Sequence, residues 1–324
     1  VTLLTLQSIY EARAPLGKIA LRTPLTPAAS LSDKRREVRL KLETIQPTGA
    51  FKLRGAANAI SRLSPDQSAR GVVCASTGNH GRAVSYVAAR RGIKATVCLS
   101  ELVPENKREA IRAAGGELHV TGRSQDEAQR QVAQLVAEKG MTEIPPFDHP
   151  DMIAGQGTIG IEILEDWPGV DTVIVPLSGG GLIGGIALAI KSASPDIRVI
   201  GVSMEHGAAM QASLAAGHPV EVEEEASLAD SLGGGIGLDN QYTFFLARKF
   251  VDEVVLLPEA AIAHAMRHLY LAEGLVTEGA AAVGAAVILD GLAQRLGKHI
   301  AVVISGRNVD MDIFQRVVAG EVPY

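Results

Sequence analysis

Thr172-Val-Ile-Val-Pro-Leu-Ser-Gly-Gly-Gly-Leu-Ile-Gly-Gly-Ile-Ala-Leu-Ala-Ile190 decides the fold. From Val173 to Ile190 it carries no charge and reaches the lower length limit of a membrane span. Pro176 and the glycine cluster break it, so it reads as a buried strand, a glycine loop and a helix. Moving outward, other β-rich runs recur at Gly71–Ala75, Lys94–Leu99, Glu117–Thr121, Arg198–Ser203, Glu253–Leu257 and His299–Ser305. Helical periodicity fills much of the space between them, at Pro104–Ala114, Ser124–Glu138, Thr158–Asp166 and Pro258–Ala272. Strand alternating with helix predicts an α/β fold of parallel sheets covered by helices. Ligands of such folds bind beyond the carboxyl ends of strands, so those loops are where chemistry is sought. The Pro145–Pro146 pair is the strongest punctuation near mid-chain and marks a crossing between two lobes.

Composition narrows the function classes. The 324 residues are 47% hydrophobic and 21% charged, with a net charge of −5, which gives no nucleic-acid footprint. The two cysteines, Cys74 and Cys98, lie in apolar runs and read as buried free thiols rather than a disulfide framework. The N-terminal stretch lacks the basic-then-apolar layout of a signal peptide, so the expectation is a cytoplasmic protein that does not enter a membrane.

Four loops carry candidate chemistry. In Pro47-Thr-Gly-Ala-Phe-Lys-Leu-Arg-Gly-Ala56, Lys52 opens a helix; it is either a solvated lysine or an amine whose burial lowers its pKa for Schiff-base formation. Ser76-Thr-Gly-Asn-His-Gly81 follows a strand, where its backbone N–H groups suit a carboxylate or phosphate, or simply cap a helix. Ser178-Gly-Gly-Gly-Leu-Ile-Gly-Gly185 suits a phosphate at a helix N-terminus. It also satisfies G-x-G-x-x-G through Gly179, Gly181 and Gly184, with Glu205 after the next strand, so a nicotinamide dehydrogenase competes. The fourth loop, Ile304-Ser-Gly-Arg-Asn-Val-Asp310, puts Ser305 at a strand's carboxyl end.

Together the four loops resemble the fold-type II pyridoxal-phosphate family of threonine and serine dehydratases and serine racemases. Arg22-Thr-Pro-Leu25, Lys41-Leu-Glu43 and Ala154-Gly-Gln-Gly-Thr158 extend the likeness over nearly the whole chain. The resemblance implies two lobes, each with a mainly parallel twisted sheet: a large cofactor-binding lobe of residues 1–50 plus 147–324, and a small mobile lobe of residues 51–146. It makes Lys52 the Schiff-base lysine and proton-removing base, with Phe51 beside it. Ser178, Gly179, Gly180, Gly181 and Leu182 wrap the cofactor phosphate, Asn79 meets the phenolic oxygen, and Ser305 the pyridine nitrogen. Ser76, Thr77, Gly78, Asn79 and His80 form the substrate side.

The implied reaction is α,β-elimination from a β-hydroxy amino acid of threonine, serine or hydroxyaspartate type, giving a 2-oxo acid and ammonia. A racemase or a β-replacement synthase of the same family is the nearest alternative. Racemases of the family carry serine where Thr77 stands, so weak or no racemisation is expected. A divalent-cation site would use Glu205 and the Ala209 carbonyl, but its second acid falls on Gln211. Arg307 replaces a common glycine, and its fork suits a second carboxylate on the substrate. The Ser-Gly-Arg-Asn motif and Ala229–Gly235 look like the dehydratases of hydroxyectoine utilisation. Relatives of this kind are often homodimers.

Overall fold

The structure is a computed structural model that describes residues 4–17, 19–76 and 78–324. Its strands, in chain order, are β1 Leu25–Pro27, β2 Glu37–Leu42, β3 Val72–Ala75, β4 Ala95–Leu99, β5 Glu117–Val120, β6 Thr142–Glu143, β7 Thr172–Pro176, β8 Arg198–Met204, β9 Glu253–Leu257 and β10 His299–Ile304. They form two sheets, β1-β2-β10-β7-β8-β9 and β5-β4-β3-β6. All pairings are parallel except β1 with β2. Parallel strands covered on both faces need apolar side chains on both, and the wholly buried Val173, Ile174 and Val175 of β7 supply them.

Each sheet has one point where chain order reverses across neighbouring strands. In the larger sheet it lies between β10 and β7, in the smaller between β3 and β6. At such points the following loops diverge and leave a crevice. The loops after β7, β10, β3 and β6 therefore face one space, which fixes where a ligand is held.

Helix Lys52–Ser61 belongs to the core of the smaller sheet: Leu53, Ala56 and Ile60 pack with Val72, Val84, Val87 and Val97. It also crosses helix Pro150–Asp166 at very close range. A side chain on Gly155 would stand 2.6 Å from the Arg54 carbonyl oxygen, so only glycine admits the crossing. That helix begins eight residues earlier than periodicity predicts. Its first turns include Gly155 and Gly157, which propensity disfavours, and tertiary contact overrides the preference. Strands β1, β2 and β6 were not anticipated; two have only two or three residues, and β2 carries Arg39 and Lys41 among its apolar positions.

Candidate active site

Two loops of the larger sheet are stitched together before any chemistry is considered. The Phe51 N–H donates to the Ser305 carbonyl (3.0 Å), the Arg307 N–H donates to the Gly49 carbonyl (2.9 Å), and Ala50 bridges Gly306. Lys52 thus emerges directly beside Ser305, itself 2% exposed at the end of β10. Both line a cavity of about 1400 Å³ that also takes in Phe51, Ser76, Gly78, Asn79 and His80. The lining also includes Ser178, Gly179, Gly180, Gly181 and Leu182. Thr77 lies outside the described residues.

Lys52 donates to the Pro146 carbonyl at 2.6 Å and sits 5.4 Å from the Phe51 ring centre. Burial pulls its pKa down to about 8, partly opposed by the charge of Glu278. An amine in that range spends an appreciable fraction of its time unprotonated near neutral pH, the state needed for Schiff-base formation and for taking a proton.

The loop after β7 turns with Gly180 at φ +86° and opens helix Gly181–Ala193, whose first N–H groups have no partner within the helix. A Cβ on Gly179 would fall 2.6 Å from the Phe147 ring, so the loop keeps this path beside Phe147 only if the residue is glycine. Uncovered amides at a helix N-terminus favour a phosphate.

Glu278 was not anticipated. It precedes the wholly apolar helix Gly279–Leu289, is 3% exposed, and lines the cavity. Asn79 Nδ2 donates to both its oxygens at 3.0 Å, while Asn308 Nδ2 donates to Asn79 Oδ1 (2.6 Å) and to the Thr48 carbonyl (2.8 Å). The chain of bonds fixes which way the Asn79 amide faces. Burial pushes the Glu278 carboxyl up to about 7, against the lowering effect of the Asn79 bond. The sequence signal was available: a lone acid followed by eleven charge-free residues has nowhere to go but inward.

His80 is buried, and its Nε2 lies 2.7 Å from the Ile144 carbonyl. Burial, with the Lys52 charge, lowers its pKa to about 3, so the ring is neutral. Nε2 then carries the hydrogen to Ile144. Arg307 is exposed and does not line the cavity; only its backbone serves the site, through the Gly49 bond. Glu205 is likewise exposed, after β8, while Ala209 opens helix Ala209–Ala216. Among the described residues no three His, Cys, Asp or Glu side chains gather as a metal site.

The three accessory segments converge on a buried ionic cluster around Arg54, two residues beyond Lys52 on the same helix. Arg54 bonds Glu43 through Nε (2.9 Å) and Nη2 (2.8 Å), and Glu162 through Nη1 (2.6 Å) and Nη2 (2.9 Å). Lys41 Nζ donates to Glu162 and to the Thr23 carbonyl, both at 2.6 Å. Two cations and two carboxylates balance, with Arg54, Lys41 and Glu43 at most 1% exposed. The cluster anchors the Lys52 helix to β2 and to helix Pro150–Asp166.

A lysine amine sharing a cavity with a glycine-lined helix N-terminus is the donor set that pyridoxal phosphate requires. Comparison with known proteins agrees. Residues 18–306 match the family model described as pyridoxal-phosphate dependent enzyme. A putative threonine dehydratase of Sinorhizobium fredii is 53% identical over 98% of this chain and 96% of its own. An L-threonine ammonia-lyase of Thermotoga maritima is 41% identical over 98% and 78% respectively. The solved structure of maize serine racemase superposes with a TM-score of 0.91 at 33% identity, covering 97% of both chains. The chain belongs to the pyridoxal-phosphate dependent enzymes of fold type II. More particularly, it is a pyridoxal-phosphate-dependent lyase similar to the threonine dehydratases. The dinucleotide reading of the glycine loop is set aside on that ground. No helix among the described residues is long and apolar enough to cross a membrane.

Proposed function

We propose that the protein removes water and then ammonia from a β-hydroxy amino acid, releasing a 2-oxo acid. The observation that carries this is the placement of Lys52, with a burial-lowered pKa of about 8, in one cavity with the glycine loop, Asn79 and Ser305. Lys52 would hold the cofactor, Ser178 to Leu182 its phosphate, Asn79 its phenolic oxygen and Ser305 its ring nitrogen. Bound there, the cofactor withdraws electrons from the substrate Cα.

This chain's own residues do the rest. Ser76, Gly78, the neighbouring amides and Thr77 hold the substrate carboxylate, which orients the Cα–H bond toward Lys52. Once released, the Lys52 amine takes the Cα proton, and the β-hydroxyl departs as water. The enamine left behind tautomerises and hydrolyses to the 2-oxo acid and ammonia. Ser305 offers a neutral hydroxyl, which does not force a proton onto the ring nitrogen; prompt elimination is favoured over transamination. The neutral, fixed His80 shapes the wall without competing for the proton.

Residues 51–146 act as the small lobe in this reading, closing on residues 1–50 plus 147–324 to exclude water. The likeness to hydroxyectoine-utilisation dehydratases adds a hydroxylated diamino acid to the substrate range to be tested. A homodimeric, cytoplasmic enzyme completes the proposal, with sedimentation at two concentrations as the check on assembly.

Threonine, serine, threo-3-hydroxyaspartate and a hydroxylated diamino acid should be scored for 2-oxo acid release and for D-isomer formation. Lys52→Ala should lose both turnover and the borohydride-sensitive visible band. Retained turnover in Lys52→Ala, or D-isomer forming as fast as 2-oxo acid in the wild type, would reject the assignment.

A further inference from the structure

Arg82 is a cavity-lining cation that the elimination reading leaves unused. It lies on helix Asn79–Arg90, three residues after Asn79 and therefore on the same face, and it lines the cavity. Side chains of a helix lean toward its N-terminus, which here is the Ser76–Gly78 loop assigned to the substrate carboxylate. Its guanidinium is only partly exposed, and Nε is buried with no hydrogen-bond partner. Among the described residues no carboxylate lies within 4.0 Å of it, although arginines elsewhere in the chain are well supplied with acids.

The less exposed acids of the lining, and Asp230, are already engaged. Glu278 accepts from Asn79, Asp148 accepts the backbone N–H groups of Gln241, Tyr242 and Thr243, and Asp230 pairs with Lys107 at 3.2 Å. Glu143 accepts from Gln129 at 2.8 Å, and Asp126, Glu221, Glu224 and Asp239 also line the cavity but are exposed, so they hold a cation weakly. Burial disfavours the charged form of Arg82, and Glu278 only partly offsets this. A partly buried guanidinium without an acidic partner gains most from a bidentate anion.

We propose that Arg82 reads a second anionic group on the substrate, so that the site takes β-hydroxy amino acids with an acidic side chain. This rests on the dehydratase reading above. The first carboxylate is held by the Ser76–Gly78 loop, and the second meets the Arg82 fork one helical turn away. Arg82 is then a specificity residue of the site, and the exposed Arg307 is not.

The test is the ratio of kcat/KM for threo-3-hydroxyaspartate to kcat/KM for threonine, measured in the holoenzyme, in Arg82→Gln and in Arg82→Lys. Taking a ratio within one preparation cancels any loss of fold or cofactor. The wild type should favour hydroxyaspartate, Arg82→Gln should lower the ratio about 10- to 100-fold, and Arg82→Lys should restore part of it. A ratio unchanged in Arg82→Gln, or a wild type that prefers the hydroxylated diamino acid, overturns the proposal. Calorimetry on the holoenzyme separates this from failure of the dehydratase reading. Succinate should bind the wild type about tenfold or more tightly than butyrate, and Arg82→Gln should erase the difference. If no amino acid yields a 2-oxo acid, the dehydratase reading falls, and the succinate result still decides for or against Arg82.

Discussion

Replacing Arg54 with methionine should be among the most damaging single changes outside the cavity. The guanidinium makes six hydrogen-bond contacts, to Glu43, Glu162, Thr158 and Thr23. Arg54→Met removes them all and leaves Lys41 to balance two carboxylates that are at most 7% exposed. Breaking a buried pair by deleting one partner costs about 3–5 kcal/mol, because the remaining charge is stranded rather than because the pair was strong. The sign with pH follows. In the wild type, burial alone would raise the Glu162 carboxyl, but the Arg54 and Lys41 interactions outweigh it and hold it below the usual range. Its contribution is therefore present above the unfolded pKa and lost as pH falls. In Arg54→Met a stranded carboxyl is pushed up instead, so the variant gains stability as pH falls. The gap between the two proteins should thus be widest near pH 7.5 and narrower at pH 5.5. Guanidinium unfolding followed by circular dichroism at both pH values measures it, with Arg54→Met/Glu162→Gln as the charge-balanced control. A loss below about 1 kcal/mol at pH 7.5, or an equal loss at both pH values, would refute the stranded-charge argument.

Gly179→Ala should weaken cofactor retention while leaving the apoenzyme folded, because its Cβ meets Phe147 at the mouth of the glycine loop; dialysis followed by cofactor titration reads this, and unchanged affinity would contradict the cradle. Glu278→Gln should stabilise the apoenzyme more at pH 8 than at pH 5. With a folded pKa of about 7 against an ordinary 4.5, Glu278 favours the folded state less as pH rises through that window, by up to about 3 kcal/mol. A Tm difference that is flat with pH would show that Glu278 is ionised without cost. Arg307→Gly should leave the substrate ranking intact, since the side chain is exposed and away from the cavity lining; a reordered ranking would bring Arg307 back to the substrate.

Much of this protein was legible in one dimension. Short apolar runs and period-3.6 patterning, with glycine as punctuation, set out an α/β fold, because parallel strands buried on both faces must be written as apolar runs such as β7. Its candidate loops were legible too, since a strand that ends on small and hydroxyl residues before a helix has few other uses. What no local pattern carried was which distant groups meet. Glu43, Arg54 and Glu162 look like ordinary surface charges in sequence, yet they lie buried in one cluster because the helix crossing at Gly155 leaves them no route to water. Arg307, the charge that drew notice as a substitution, points outward, whereas Arg82 and Glu278 share the cavity through the docking of one sheet on the other. Side-chain type and spacing are local quantities; burial and the partner of a charge are decided only when the two sheets close on each other.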